Sequence, residues 1–186
     1  MRTFHRDELT RFLESLDRHL PGPRRVNLIG GAAASLAYGV SRATTDIDTI
    51  GDIADLEEAL RLARLETGLN VPFQSVGIWD APYHYEDRLT RLEMGFEKLQ
   101  IVVPEKHDLV LMKVVRGQDN DREAIQQMAD RVGLDRLTLI DRFKKEMTHT
   151  IGNPGQLRAN FLAVVELLYG EAEADRVSSE LLDSAR

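Results

Sequence analysis

The stretch Gly30–Ile50, GGAAASLAYGVSRATTDIDTI, decides how the rest of the chain is read. Its end has the Thr and Ile content of a β-strand, yet Asp46 and Asp48 stand one residue apart in it. Aspartate is depleted from strands, and residues i and i+2 leave a strand on one face, with Cα atoms roughly 6.5–7 Å apart. Two carboxylates so placed repel unless something positive lies between them, either water with counterions or a metal ion. At this spacing they can share one magnesium ion or bridge two metals about 3.5–4 Å apart. In this reading Ile47 and Ile50 point into the core and fix the strand.

The other end of the stretch supplies a second half. RRVNLIGG reads as a short buried strand ending in the turn Gly30-Gly31, and AAASLAYG as a tightly packed helix closed by Gly39. A helix N-terminus approached closely by a glycine backbone can hold phosphate oxygens. Phosphates on one side and metal-binding carboxylates on the other would together hold a magnesium–nucleotide.

The bulk composition sets the bounds. With 186 residues, 42% hydrophobic, the chain can build one core, or one core with an attached helical lobe. No run of eighteen apolar residues indicates a membrane span, and MRTFHRDELTRF lacks the apolar centre of a secretory signal. Cysteine is absent, which excludes disulfides and thiolate metal sites and fits a cytoplasmic location. Any metal must then be bound by oxygen or imidazole, and a carboxylate-rich site favours magnesium or manganese. A net charge of −7 argues against broad, non-specific nucleic-acid binding. The charge is uneven, with arginines enriching the front of the chain and acids its tail.

Outward from the quoted stretch, DELTRFLESLDRHL carries an apolar helical stripe with Asp7 as its N-cap. DLEEALRLARLE reads as an amphipathic helix and VPFQSVG as a strand. RLTRLEMG and KLQIVV read as two further strands forming a hairpin across GFEK. From Glu105 onward the patterns are helical: EKHDLVLMKVVRG, NDREAIQQMADRVG, LDRLTLIDRFKKEM, QLRANFLAVVELLYG and a last short helix over 174–182. The expected organisation is an α/β core over 1–104 followed by a helical lobe over 105–186.

In order, a strand, Gly30-Gly31, a short helix, Gly39, Arg42, Thr45 and Asp46-Ile47-Asp48 resemble the signature of the nucleotidyltransferase-fold superfamily. The likeness covers roughly residues 24–126. It implies a small mixed-sheet, polymerase-β-like core followed by a C-terminal helical lobe. It also implies that Asp46 and Asp48 hold the divalent ions, magnesium or manganese, that bind a nucleoside triphosphate and activate the attacking group. Gly30, Gly31, Arg42 and Thr45 would be nucleotide-binding. Two branches share this form: the toxin-type, AbiEii-like enzymes of bacterial toxin–antitoxin systems, and the antibiotic-modifying nucleotidyltransferases. Many members of the superfamily have Gly-Ser at the turn, whereas both of these branches use Gly-Gly.

A second oddity is LVLMKVV, apolar around its whole helical circumference with Lys113 in the middle. A buried ammonium is costly unless paired; Lys113 either snorkels to the surface or faces a polar cleft, and Arg116 lies one turn later. The toxin-type resemblance implies that Lys113, with Arg116, binds triphosphate and that Asp121 is a further active-site acid. Asn120 and Ala124 stand where that pattern has an arginine and a second acid. Glu93, in RLEMG, is the candidate for a third metal-binding carboxylate on a neighbouring strand, against the plainer reading of an exposed edge residue. The five histidines show no metal-ligand spacing and read as surface or capping residues. Trp79, Tyr83 and Tyr85 either stack a base or anchor their loop.

The leading expectation is therefore magnesium-dependent transfer of a nucleotidyl group to an acceptor hydroxyl on an RNA end, a protein or a small molecule. A toxin role would bring a cognate antitoxin as partner; the acidic charge disfavours tRNA as acceptor. The competing readings are a catalytically silent nucleotidyltransferase-fold binding protein and an antibiotic-modifying enzyme.

Overall fold

The structure, a computed structural model, describes residues 2–77 and 80–183. It groups into two compact units, Met1–Ile78 with Arg88–Pro104, and Trp79–Asp87 with Glu105–Arg186.

The first unit is built on a five-stranded mixed sheet. Its strands are β1 (Arg24–Ile29), β2 (Ile47–Ile50), β3 (Phe73–Ser75), β4 (Thr90–Arg91) and β5 (Leu99–Val103). The spatial order is β3-β2-β1-β5-β4. β1 runs antiparallel to β2 and parallel to β5, β2 is parallel to β3, and β4 is antiparallel to β5. Alternation sorts the side chains. Val26, Leu28, Ile47, Thr49, Phe73, Leu99, Ile101 and Val103 are all buried. Arg25, Asn27, Asp48, Ile50, Gln74 and Gln100 alternate with them and retain some exposure. The helices of this unit are α1 (Arg6–His19), α2 (Gly30–Tyr38) and α3 (Glu57–Thr67). α2 packs on β1 and β2, and α1 packs on α2 and α3. Leu9, Phe12, Leu13 and Leu16 of α1 and Leu60 of α3 are shut off from solvent.

Three local expectations are corrected. Ile47 and Ile50 have opposite parity on the strand, so only Ile47 enters the core; Thr49 is the second inward residue, its hydroxyl bonded to the Asn27 carbonyl at 2.9 Å. α1 begins one residue before Asp7, with His5 as N-cap and the Glu8 carboxylate accepting the His5 N–H at 3.0 Å. The hairpin strand expected over RLTRLEMG shortens to Thr90–Arg91, with one further backbone bond beyond it, from Leu92 N–H to the Ile101 carbonyl at 2.9 Å.

Asp17 ties α1 to the entry of β5. Its carboxylate accepts the backbone N–H groups of Glu97, Lys98 and Leu99 at 3.0, 2.7 and 2.6 Å. Burial pushes this carboxyl up, and the backbone bonds more than offset it, so it is held below its ordinary value. Lys98 reciprocates by donating to the carbonyls of Arg18 and Leu20, which closes the C-terminal end of α1.

The second unit is helical: α4 (Lys106–Arg116), α5 (Asp119–Val132), α6 (Arg136–Glu146), α7 (Pro154–Tyr169) and α8 (Glu171–Asp183). α4 packs against α5, α6 and α7, which explains its uniformly apolar sequence. Phe143 of α6 stacks on Phe161 of α7 with ring centroids 3.7 Å apart. Asn160 of α7 donates to the Val114 carbonyl at 3.0 Å, meeting one of the unpaired carbonyls at the end of α4. No described helix is long and apolar enough to cross a membrane.

Candidate active site

The register of β1 and β2 brings the two halves of Gly30–Ile50 together. Ile29, the last residue of β1, lies opposite Asp48, so Gly30 turns off the sheet directly beside the Asp48 carboxylate. Gly30 has φ +67°, a left-handed conformation that favours glycine. A Cβ built there would fall 3.0 Å from Asp48 Oδ2, and one built on Gly31 would fall 2.6 Å from Thr44 Oγ1. The two glycines are thus packed against the acid-bearing segment and open α2 at that point.

Asp46 lies immediately before β2 and Asp48 within it. Thr45 Oγ1 donates to Asp46 Oδ2 at 3.0 Å, and Thr44 Oγ1 lies 3.4 Å from Oδ1. Gln74, paired with Asp48 across the parallel β2–β3 ladder, donates its side-chain amide to Asp48 Oδ1 at 2.8 Å. Phe4 forms an antiparallel bridge to Thr44, with N–H to carbonyl distances of 2.7 and 3.0 Å, while its ring is buried. The acid pair is therefore positioned from four directions: β1, β3, the Gly30-Gly31 turn and the N-terminal segment. Arg42 lies exposed in the loop between α2 and β2. Thr45, a nucleotide-binding candidate, has its hydroxyl directed to Asp46.

The donor set suits a hard divalent ion. Among the described residues no group of three or more His, Asp or Glu gathers as a metal cage. Two carboxylates are, however, the complement magnesium takes when substrate phosphates and water complete its shell. Glu93 does not join the pair. It follows β4 at the sheet edge opposite β3, three strand spacings from β2, or roughly 14 Å. Its side chain is 80% exposed and faces Arg91 at 3.3 Å; the plain edge-residue reading describes it.

Lys113, Arg116 and Asp121 meet within the helical unit. Lys113 Nζ is 3.1 Å from Asp121 Oδ1, and Arg116 donates to both Asp121 oxygens at 2.6 and 3.2 Å. The side chains of Lys113 and Asp121 are only 5% and 3% exposed. Burial pushes the Asp121 carboxyl up, but Arg116 and Lys113 more than reverse this and hold it below its ordinary value. Lys113 does not snorkel. Asp121 is the counter-ion of two cations.

Of the histidines, His107 is buried, which the sequence did not suggest. Its Nε2 accepts the Asp135 N–H at 2.8 Å, so Nδ1 carries the proton toward Glu105 at 3.0 Å. Burial pushes the Glu105 carboxyl up; His107 and Arg142 override it, down to about 2. Tyr83 is exposed with edge contacts to His84 and His149, whereas Tyr85 is buried. Trp79 lies outside the described residues. The supports missed in the sequence are Gln74 and Thr44. Gln74 becomes visible only once the β2–β3 register is known; Thr44 had a local signal, two residues before Asp46.

A family model described as "Nucleotidyltransferase of unknown function (DUF6036)" matches residues 7–163. No curated protein and no solved structure matches the chain. The matched span includes the Gly30-Gly31 turn, the Asp46–Asp48 pair and the Lys113–Asp121 cluster.

Proposed function

The chain belongs to the nucleotidyltransferase family of unknown function, DUF6036, and from that premise we propose that it moves a nucleotidyl group from a nucleoside triphosphate to an acceptor hydroxyl, with magnesium or manganese held by Asp46 and Asp48. The observation that carries this reading is the placement of the acid pair. Asp48 sits opposite the last residue of β1, beside a glycine whose Cβ would crowd its carboxylate. A divalent ion bound there supplies neutralisation of phosphate charge and acidifies the attacking hydroxyl.

The chain's own residues do the rest. Thr45 holds Asp46 Oδ2, and Gln74 holds Asp48 Oδ1, which keeps the two carboxylates oriented. Gly30 and Gly31, with no Cβ to press on Asp48 or Thr44, bring the N-terminus of α2 up against the acid-bearing segment, and the N–H groups there are the ones that would meet phosphate. The acceptor oxygen attacks the α-phosphorus, its bond forming as the bond to the β-phosphate bridging oxygen breaks, and pyrophosphate leaves with the hydroxyl proton lost to solvent. Orientation and fixed charge are the main sources of rate in such a transfer. A triphosphate role for Lys113 and Arg116 rests on the resemblance to toxin-type enzymes. So do the toxin role and its antitoxin partner; growth arrest on expression, relieved by Asp46→Ala, is the outcome they require. An RNA end, a protein or a small molecule each supplies a suitable hydroxyl.

One observation favours the catalytically silent reading: Asp121, the additional acid that the resemblance supplies, is spent on Lys113 and Arg116. Calorimetric titration of the four ribonucleoside triphosphates, with and without magnesium, into wild type and Asp48→Asn tests both readings. Magnesium-dependent binding abolished by Asp48→Asn, followed by transfer of labelled nucleotide to an acceptor, is expected. The same binding without transfer to RNA, protein or small hydroxylated molecules favours the silent form. Absence of triphosphate binding to folded wild type overturns the enzyme reading and leaves a silent fold that binds a partner protein.

A further inference from the structure

The helical unit contains a cavity of about 380 Å³, bounded by α6, the 147–153 turn, the first turns of α7, and Leu181 of α8. That volume lies within the range of small-molecule sites, about 300–1,000 Å³. Phe143, Met147, Leu157 and Leu181 give it apolar walls. Two of its polar neighbours are uncommitted. The Thr150 hydroxyl is closed off from solvent and has no hydrogen-bond partner. Arg158, half-buried on the first turns of α7, makes no hydrogen bond or ion pair among the described residues. The other cation at the rim, Lys144, is already paired with Glu180.

Each of these has a physical cost that a ligand would remove. A buried hydroxyl left unpaired forfeits the bond it had in water, and a turn about χ1 would let Thr150 offer its hydrogen to an oxygen in the cavity. A guanidinium beside an apolar hollow meets a planar carboxylate in the two-pronged geometry it binds best. The N-terminus of α7, with Asn153 and Pro154 on the rim, adds its positive end. Apolar walls that remain wet favour displacement of their water by hydrocarbon.

We propose that this cavity binds a small amphipathic carboxylate, its apolar body against Phe143, Met147 and Leu157 and its head between Arg158 and Thr150. The site shares no residue with the Asp46–Asp48 pair, so its fate is independent of the nucleotidyl-transfer reading.

The test uses the full chain, with decanoate as probe and decanol as its uncharged counterpart, each titrated by calorimetry. Saturable one-site binding of decanoate is expected. Arg158→Gln should weaken decanoate by roughly tenfold or more, as loss of a charge-assisted bond does, and leave decanol unchanged. Thr150→Val should weaken decanoate in the same selective way. Leu157→Trp fills the hollow and should abolish both; if it does not fold, Val115→Phe, at the part of the wall that α4 contributes, serves instead. Equal binding of decanoate and decanol, insensitivity to Arg158→Gln, or no saturable binding to wild type would each overturn the proposal.

Discussion

A methyl group added at position 30 would meet two obstacles at once. The left-handed conformation of Gly30 costs a side-chain-bearing residue about 1–2 kcal/mol, and the new carbon would press on Asp48 Oδ2 at 3.0 Å. Gly30→Ala should therefore lower unfolding free energy by about 1–2 kcal/mol in a urea titration. It should also weaken magnesium-dependent triphosphate binding by about tenfold or more, a shift of roughly 1.4 kcal/mol. At Lys113 the expectation is different in kind. Lys113→Met keeps the volume of the stem but leaves Asp121 with Arg116 alone, so stability should fall by about 1–3 kcal/mol. If triphosphate affinity survives that change, the lysine serves the fold. Because the Asp121 carboxyl is held below its ordinary value when folded, its contribution is complete above the unfolded value near 3.9 and fades as pH falls through the folded one. The acid pair and its glycines were legible because i, i+2 parity and a Gly-Gly turn are local facts. Gln74 was not, since its meeting with Asp48 depends on a ladder between segments more than twenty residues apart.

Between elements, the Asp17 carboxylate ties α1 to three successive backbone N–H groups at the head of β5. Asp17→Ala would strand buried donors worth about 1–3 kcal/mol each when unmet. A loss near 3 kcal/mol is expected in urea unfolding, with Asp17→Asn intermediate because one oxygen remains. The sign with pH follows from a depressed folded value: the tie is fully present above about pH 4 and is lost on further acidification. A wild-type stability curve that stays flat from pH 5 to pH 2 would contradict it. Nothing in LESLDRHL marks Asp17 as special, because its partners lie eighty residues on. The helices from Glu105 onward were legible by contrast, since each is bounded by glycine, Asp135, or the Asn153-Pro154 start, and those signals are local. Strand β4 was over-read: alternation in RLTRLEMG promises more pairing than the two residues that reach β5.

For the whole chain, the helical character after Glu105 was visible as a change of period, and that change coincides with the end of one compact unit at Pro104. The excursion through 80–87 was not visible, because it is held by backbone rather than by pattern. Tyr83 N–H donates to the Glu146 carbonyl at 3.1 Å and His84 N–H to the Glu146 carboxylate at 3.0 Å. A fragment ending at residue 104 would carry this loop without its anchor. It should be cut by trypsin at Arg88 markedly faster than the full chain, with Glu146→Ala between the two, as read by timed mass spectrometry. The opposite end of the chain matters for a different reason. Phe4 bridges Thr44, and Thr44 packs on Gly31 and lies beside Asp46. A sample trimmed to begin at residue 5, or fused at its front to a bulky affinity handle, would keep its helices and still release that latch. Silence in an assay of such material would be an artefact of preparation, so handles belong at the far end.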